Sequence, residues 1–328
     1  MDKTLIIFPK THKHLGLFDD LKDCSDIILR STEFRPVKKV YSLFQKLWDS
    51  RTLNRFINFP NKYKWYEYYD IYDITKDTRS IIVFDGALNT LKISELLVLK
   101  KRNSSLRFYL YFINSLNADS PGIKEVRHKY LQFPWDKIFT FDASDARRYG
   151  LTYLGFNYYS KHRLNTVENP AFDAYFIGGN KGNRIGLIVD VFNFLNENGV
   201  KCNFILYLYK GQTNEYIQGI KYINNSWLPY EEILKQLQNC KCIIEIMQSG
   251  QDGPSLRYME AVCYNKKLLT NNPHIVDYPL YDSRYMKIFK NIRDIDPKWL
   301  DCDEKVDYHY NNEFSPMSLV EYVNNLAK

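Results

Sequence analysis

The amino-acid sequence predicts an α/β protein made of two parallel-sheet domains in series. Three observations carry that expectation. Short apolar runs alternate with helix-like segments along most of the 328 residues, the strand-like runs end in Asp, Asn, Gly or Ser, and the rhythm breaks and restarts after Asn169-Pro170. A chain of this length exceeds one ordinary hydrophobic core and suits two. Its 45% hydrophobic and 25% charged residues are enough to fill both and argue against disorder.

Taken in order, residues 4–8 read as a first strand and 80–84 (Ser-Ile-Ile-Val-Phe) as a second, ending in Asp85-Gly86. Residues 93–101 read as a helix with Leu96, Leu97 and Val98 inward. Strands follow at 107–113, ending at Asn114-Ser115, and at 137–141, ending at Asp142. After the break, residues 174–177 form a strand that runs into Gly178-Gly179-Asn180-Lys181-Gly182, and 183–198 a helix closed by Gly199. Strands at 202–207, shortly before Trp227, at 242–246 and at 267–270 are interleaved with helices at 230–239 and 256–264. Strand, turn and helix in this succession build parallel sheets of the Rossmann-like kind, whose ligands bind beyond the carboxyl ends of the strands. The boundaries expected are an N-terminal domain over 1–158, a C-terminal domain over 159–312 and a closing helix within 313–328, at 317–327.

Charge and cysteine content narrow the class. A net charge of +7 suits an anionic partner without choosing among phosphate ligand, nucleic acid and acidic membrane. Cys240 and Cys242 are the one close pair among six cysteines and have no second Cys/His pair to complete a zinc site, so free thiols in a reducing compartment are expected. The N-terminus shows neither a leader pattern nor a span, so a cytoplasmic or peripherally membrane-bound chain is expected. From Arg35 to Lys64, eight Lys/Arg stand against a single Asp, interleaved with aromatic residues at helical spacing. A basic amphipathic helix of that kind lies on an anionic membrane or packs on its own domain.

Two constellations carry chemistry. In the first, a strand ends in Gly178, Gly179 and Asn180, and a helix begins near Lys181 and Arg184. Glycines let backbone N–H groups approach an anion, and the helix start adds partial positive charge. The spacing is neither Walker A nor GxGxxG, and a tight strand-to-helix turn explains the glycines as well. The second is Gln248-Ser249-Gly250-Gln251-Asp252-Gly253-Pro254-Ser255-Leu256-Arg257-Tyr258-Met259-Glu260. Ser255 reads as an N-cap, the turn before it as a set of open amides, Arg257 as a phosphate partner, and Glu260 as an acceptor for ribose or sugar hydroxyls. A capped helix with a surface Arg–Glu pair is the plainer reading.

Together these segments resemble the C-terminal domain of GT-B glycosyltransferases, in particular bacterial lipopolysaccharide and capsular polysaccharide enzymes. Gln251, Gly253, Ser255, Arg257 and Glu260 fit the pattern Gln-x-Gly-x-[Ser/Thr]-x-Arg-x-x-Glu, and Lys266-Lys267-Leu268-Leu269-Thr270 the strand that follows it. Asp252 and Glu260, with seven residues between them, stand where retaining members carry two acidic residues, although the first is Asp here.

The resemblance implies a GT-B fold with two Rossmann-like domains, an interdomain cleft and a C-terminal helix returning to the first domain. It also implies transfer of a sugar from a nucleotide-sugar donor to a glycan or lipid-linked glycan, retention being slightly favoured. Lys181, with Arg184 or Arg257, would neutralise the leaving diphosphate with no metal or other cofactor needed. Gly178, Gly179, Asn180, Gln251, Gly253, Pro254 and Ser255 would frame the donor, Asp252 would face its sugar, and Glu260 its ribose. Trp227 and Leu228 lie where such enzymes place the nucleobase, although Trp227 also reads as plain core.

On the acceptor side, Lys10, Thr11, His12 and His14 follow the first strand, and Asp85, Asn114 and Asp142 end later ones. A general base would come from this set, with His12 the candidate, against its being an ordinary surface histidine. A non-catalytic nucleotide or phosphate-ligand binding protein of the same fold is the alternative. Nucleic acid is not an expected partner, since no recognition motif accompanies the basic segment.

Overall fold

The computed structural model describes residues 2–9, 12, 15–32, 53, 74–89, 91, 93–116, 128–165, 167–179, 184–208, 217–224, 226–248 and 250–326. Among them, the strands form two six-stranded sheets in which every pairing is parallel. The first contains β1 (Lys3–Phe8), β2 (Ile27–Ser31), β3 (Thr78–Phe84), β4 (Arg107–Phe112), β5 (Lys137–Thr140) and β6 (Thr152–Tyr153), in the order β2-β1-β3-β4-β5-β6. The second contains β7 (Phe172–Gly179), β8 (Cys202–Leu208), β9 (Ile220–Asn224), β10 (Cys240–Glu245), β11 (Lys267–Thr270) and β12 (Met286–Ile288), in the order β12-β11-β10-β7-β8-β9.

The continuous apolar runs are what a parallel sheet covered on both faces requires. Alternation then divides each strand between two cores. In β1, Leu5 and Ile7 join one cluster and Ile6 and Phe8 another, and in β7, Tyr175 and Ile177 face away from Ala174 and Phe176. The covering helices are α1 (Ile93–Arg102), α2 (Ala143–Tyr149), α3 (Ile185–Glu197), α4 (Tyr230–Gln238), α5 (Leu256–Cys263), α6 (Pro297–Asp301) and α7 (Pro316–Leu326). Asp142 caps α2 through its side chain, and Gly150 ends it at φ 65°, a conformation that favours glycine.

Helix α7 follows the second sheet but packs on the first. Leu319, Val320 and Val323 are buried in one cluster with Ile6, Phe84, Tyr109 and Phe139, and Thr4 Oγ1 donates to Asn324 Oδ1 at 3.0 Å. Strands β2, β6 and β12 were not among those expected. Residues 35–64, expected to carry a membrane-facing helix, lie outside the described residues apart from Leu53. No helix among the described residues is long and apolar enough to cross a membrane.

Candidate functional site

The second sheet reads 3-2-1-4-5-6 when its strands are counted from β7, so successive connections leave in opposite directions from β7 and β10. That reversal opens a crevice at the carboxyl ends of these two strands. A cavity of about 160 Å³ lies there. Its walls are Phe176 and Ile177 from β7, Ile244 and Glu245 from β10, Ile246, Met247, Gln248 and Gln251 beyond it, Arg184 before α3, and Ser255, Leu256 and Arg257 at the start of α5.

Arg184 staples the two strand ends. Its Nε and Nη2 donate to the Gly179 carbonyl at 3.1 and 2.8 Å, and Nη1 to the Ile246 carbonyl at 2.7 Å. Gly178 admits this approach, because a Cβ there would stand 2.8 Å from the Phe176 ring and 3.2 Å from Arg184 Nη2. Asn180 and Lys181 lie outside the described residues.

At the start of α5, Ser255 Oγ accepts from the Arg257 amide at 3.0 Å, the N-cap bond expected, and donates its own proton to Glu245. The other Glu245 oxygen accepts from Thr270 Oγ1 at 2.5 Å. Burial pushes the Glu245 carboxyl above its ordinary range, against these two hydrogen bonds and the charge of Arg257. Sequence reasoning missed Glu245, which sits in an otherwise apolar strand run. Its one signal was a charged residue near the carboxyl end of a buried parallel strand.

Arg257 lines the cavity, whereas Glu260, three residues on, lies behind it. The Glu260 carboxylate is 0% exposed; Oε2 is 2.5 Å from Arg257 Nη1, and Oε1 accepts the Tyr230 hydroxyl at 2.7 Å. Burial raises its pKa, with Arg257 and Tyr230 acting the other way. The carboxylate expected to hold a ribose thus has no free surface and faces Arg257 and Tyr230 instead.

The turn before α5 is also committed. Its amides were expected to be open, but those of Asp252 and Gly253 both donate to Asp142 Oδ2 from the first domain at 3.2 Å. A Cβ on Gly253 would meet the Phe141 ring at 2.5 Å, so only glycine lets this turn dock on the end of β5. Ser115 Oγ donates to the Gly250 carbonyl at 3.2 Å, and the Tyr278 hydroxyl donates to the Asp252 carbonyl. The Asp252 carboxylate is partly exposed, 3.9 Å from His274 Nε2, and is not part of the cavity wall. Pro254 is buried, and Gln251 Nε2 reaches back to the Gly253 carbonyl at 3.4 Å.

Trp227 is 65% exposed, with its ring 4.5 Å from that of Tyr207, so it is not core. Leu228 beside it donates its amide to the Tyr207 hydroxyl at 3.2 Å.

The acceptor-side candidates fare differently. His12 is buried against Phe18 and Phe84 rather than lying on the surface, and burial lowers its pKa to about 3. Its Nδ1 has no partner among the described residues. Asp142 accepts from Ser144 N, Ser144 Oγ and Asp145 N with one oxygen and from the Asp252 and Gly253 amides with the other, which makes it a latch rather than a free base. Asp85 is buried and accepts the Ile113 amide at 3.2 Å. Lys10, Thr11 and His14 lie outside the described residues. Among the described residues, no group of three or more His, Cys, Asp or Glu side chains is arranged to hold a metal ion.

No protein-family model and no curated protein matches the sequence. Solved structures match in fold. TarM superposes with a TM-score of 0.53 at 14% identity, over 77% of this chain, which spans 55% of the TarM chain. An α-glucosyltransferase in complex with UDP-glucose and DNA containing an abasic site gives 0.52 at 10% identity over 99% of both chains. The chain has the GT-B fold. A UDP-N-acetylglucosamine 2-epimerase from Rickettsia bellii also superposes, at 0.50 and 11% identity, over 100% of this chain and 97% of that one. In this GT-B chain the cavity belongs to the second sheet, and α7 packs on the first.

Proposed function

We propose that the chain is a glycosyltransferase that moves a sugar from a nucleotide-sugar donor to a glycan acceptor. One observation carries the reading: an arginine-bearing cavity sits at the switch point of the second sheet in a GT-B fold. The Arg257 side chain lines that cavity, and its guanidinium would stabilise the charge that develops on a departing diphosphate, joined by Lys181, which follows β7 in the sequence. Trp227 on Tyr207 offers an exposed aromatic face for a nucleobase. Asp252 would face the donor sugar, with retention of configuration favoured. No cofactor beyond the donor itself enters this reading. The acceptor would be a lipid-linked surface glycan at the cytoplasmic face of the membrane, approached through the basic segment from Arg35 to Lys64. Two neighbours support the ligand class by their names, since one was solved with UDP-glucose and another is a UDP-N-acetylglucosamine epimerase.

The test is a panel of UDP-, GDP-, ADP- and CMP-sugars incubated with the protein and resolved by mass spectrometry. Transfer, or slow donor hydrolysis with nucleotide release, supports the reading. Arg257→Ala should lower the rate roughly tenfold to a hundredfold, the equivalent of about 1.5–3 kcal/mol for one charge-assisted hydrogen bond to phosphate. Binding without turnover makes the protein a nucleotide-ligand binder of the same fold. An epimerised sugar on an intact nucleotide assigns it to the other chemistry.

A further inference from the structure

Behind the cavity wall runs a polar chain that no motif announces. It starts at Arg257, whose side chain is 15% exposed and lines the cavity, and passes to Glu260, which is 0% exposed and does not. Glu260 accepts the Tyr230 hydroxyl at 2.7 Å; the Tyr230 and Tyr159 hydroxyls are 3.1 Å apart, and those of Tyr159 and Tyr264 2.7 Å. The backbone N–H of His162 donates to Tyr264 at 3.0 Å. Tyr159 and His162 belong to the segment joining the two sheets, and Tyr230 opens α4. One end of the chain is therefore anchored in backbone, and the other touches the cavity.

A buried Arg–Glu pair is a poor device for stability, because its desolvation often outweighs its attraction. Here only the cation is reachable. A ligand entering the cavity meets the Arg257 side chain, whose Nη1 is turned inward to Glu260, and not the carboxylate itself. Arginine has five N–H donors, so a grip on one side leaves others for an incoming oxyanion. Tyr230 has a single proton within reach of two oxygens, and the carboxylate is the stronger acceptor.

We infer that Glu260 and Tyr230 are positioning residues that hold the Arg257 guanidinium at the cavity wall, where it meets the phosphate groups of a nucleoside diphosphate. The inference rests on the donor-site reading and gives Glu260 a task different from touching ribose. It differs as well from Glu260 being a mere counter-charge. A counter-charge weakens anion binding, so neutralising it would tighten binding. A positioning group, once removed, lets Arg257 swing away, and binding weakens.

The test is titration calorimetry of the full-length protein with pyrophosphate and with UDP, GDP and ADP, in wild type, Arg257→Ala, Tyr230→Phe, Glu260→Gln and the double variant of Arg257→Ala with Tyr230→Phe. Tyr230→Phe, which loses a hydrogen bond to Glu260, and Glu260→Gln, which loses the charge beside Arg257 Nη1, should each weaken binding by about fivefold to tenfold. In the Arg257→Ala background, Tyr230→Phe should add nothing, a coupling that a structural role for Tyr230 would not produce. Should Tyr230→Phe fail to fold, the nearly isosteric Glu260→Gln carries the comparison. If Arg257→Ala weakens binding but the other two bind as wild type or tighter, the positioning inference is overturned and the donor site stands. If the wild type binds no probe, or Arg257→Ala binds as wild type, the donor-site reading falls and takes the inference with it.

Discussion

Replacing Asp142 by asparagine separates two jobs that one carboxylate performs. Oδ1 caps α2, accepting from Ser144 N at 2.9 Å, Ser144 Oγ at 2.7 Å and Asp145 N at 3.2 Å. Oδ2 accepts the Asp252 and Gly253 amides of the other domain, both at 3.2 Å. Asparagine keeps an oxygen for the cap but turns an NH₂ group towards two N–H donors. The Gly253 amide is buried and loses its acceptor, while Asp252 is partly exposed and can turn to water. An orphaned buried donor costs about 2 kcal/mol, so Asp142→Asn should be destabilised by that amount. Alanine also removes the cap, which adds about 1 kcal/mol. With each domain melting as a cooperative unit of roughly 150 residues, the asparagine variant should melt about 4–8 °C below wild type and alanine lower again. Calorimetry or dye-monitored melting of the three proteins side by side measures this. If asparagine melts with the wild type while alanine falls, the carboxylate only caps its helix, and the cross-domain reasoning is wrong.

Other perturbations follow from single contacts. Gly253→Ala places a Cβ 2.5 Å from the buried Phe141 ring and 3.0 Å from its carbonyl oxygen, and should cost about 1–3 kcal/mol in denaturant titrations. Leu319→Ala empties a fully buried position where α7 meets the first sheet and should cost about 2–5 kcal/mol by the same measurement. His12 binds a proton at pH about 3 when folded and near 6.5 when unfolded, so its contribution is complete above pH 6.5 and is lost as pH falls towards 3. By pH 5 that loss reaches about 2 kcal/mol. His12→Asn should flatten this part of the stability profile, and equal acid sensitivity in both proteins would place the effect elsewhere.

The central strands were legible because a parallel strand buried on both faces must be an unbroken apolar run, as Ile81 to Phe84 and Cys242 to Ile244 are. Strand β2 hides because only Ile27 of its five residues is buried, and β6 and β12 because two or three residues make no pattern. At the site, Ser255 and Arg257 were readable from spacing alone, since cap and first turn are local. Which face of Arg257 is free was not readable. It depends on Glu260 being sealed by Tyr230, thirty residues away, and on Tyr159, a hundred residues away, and only packing brings those together. Asp142 shows the same limit: a carboxylate ending a parallel strand looks alike whether it takes a proton from a substrate or an amide from the neighbouring domain.

Helix α7 ends on the sheet that β1 begins, so the polypeptide passes between the two halves twice, once after β6 and once before α7. The two passages are stitched where the Tyr159 amide donates to the Phe314 carbonyl at 2.7 Å. A single strand of chain would let one half spin or drift against the other. Two passages tied at one point resist that twisting and sideways slip. The turn that carries Gly253 is thus kept in register with Phe141 by the path of the chain as well as by the Asp142 latch.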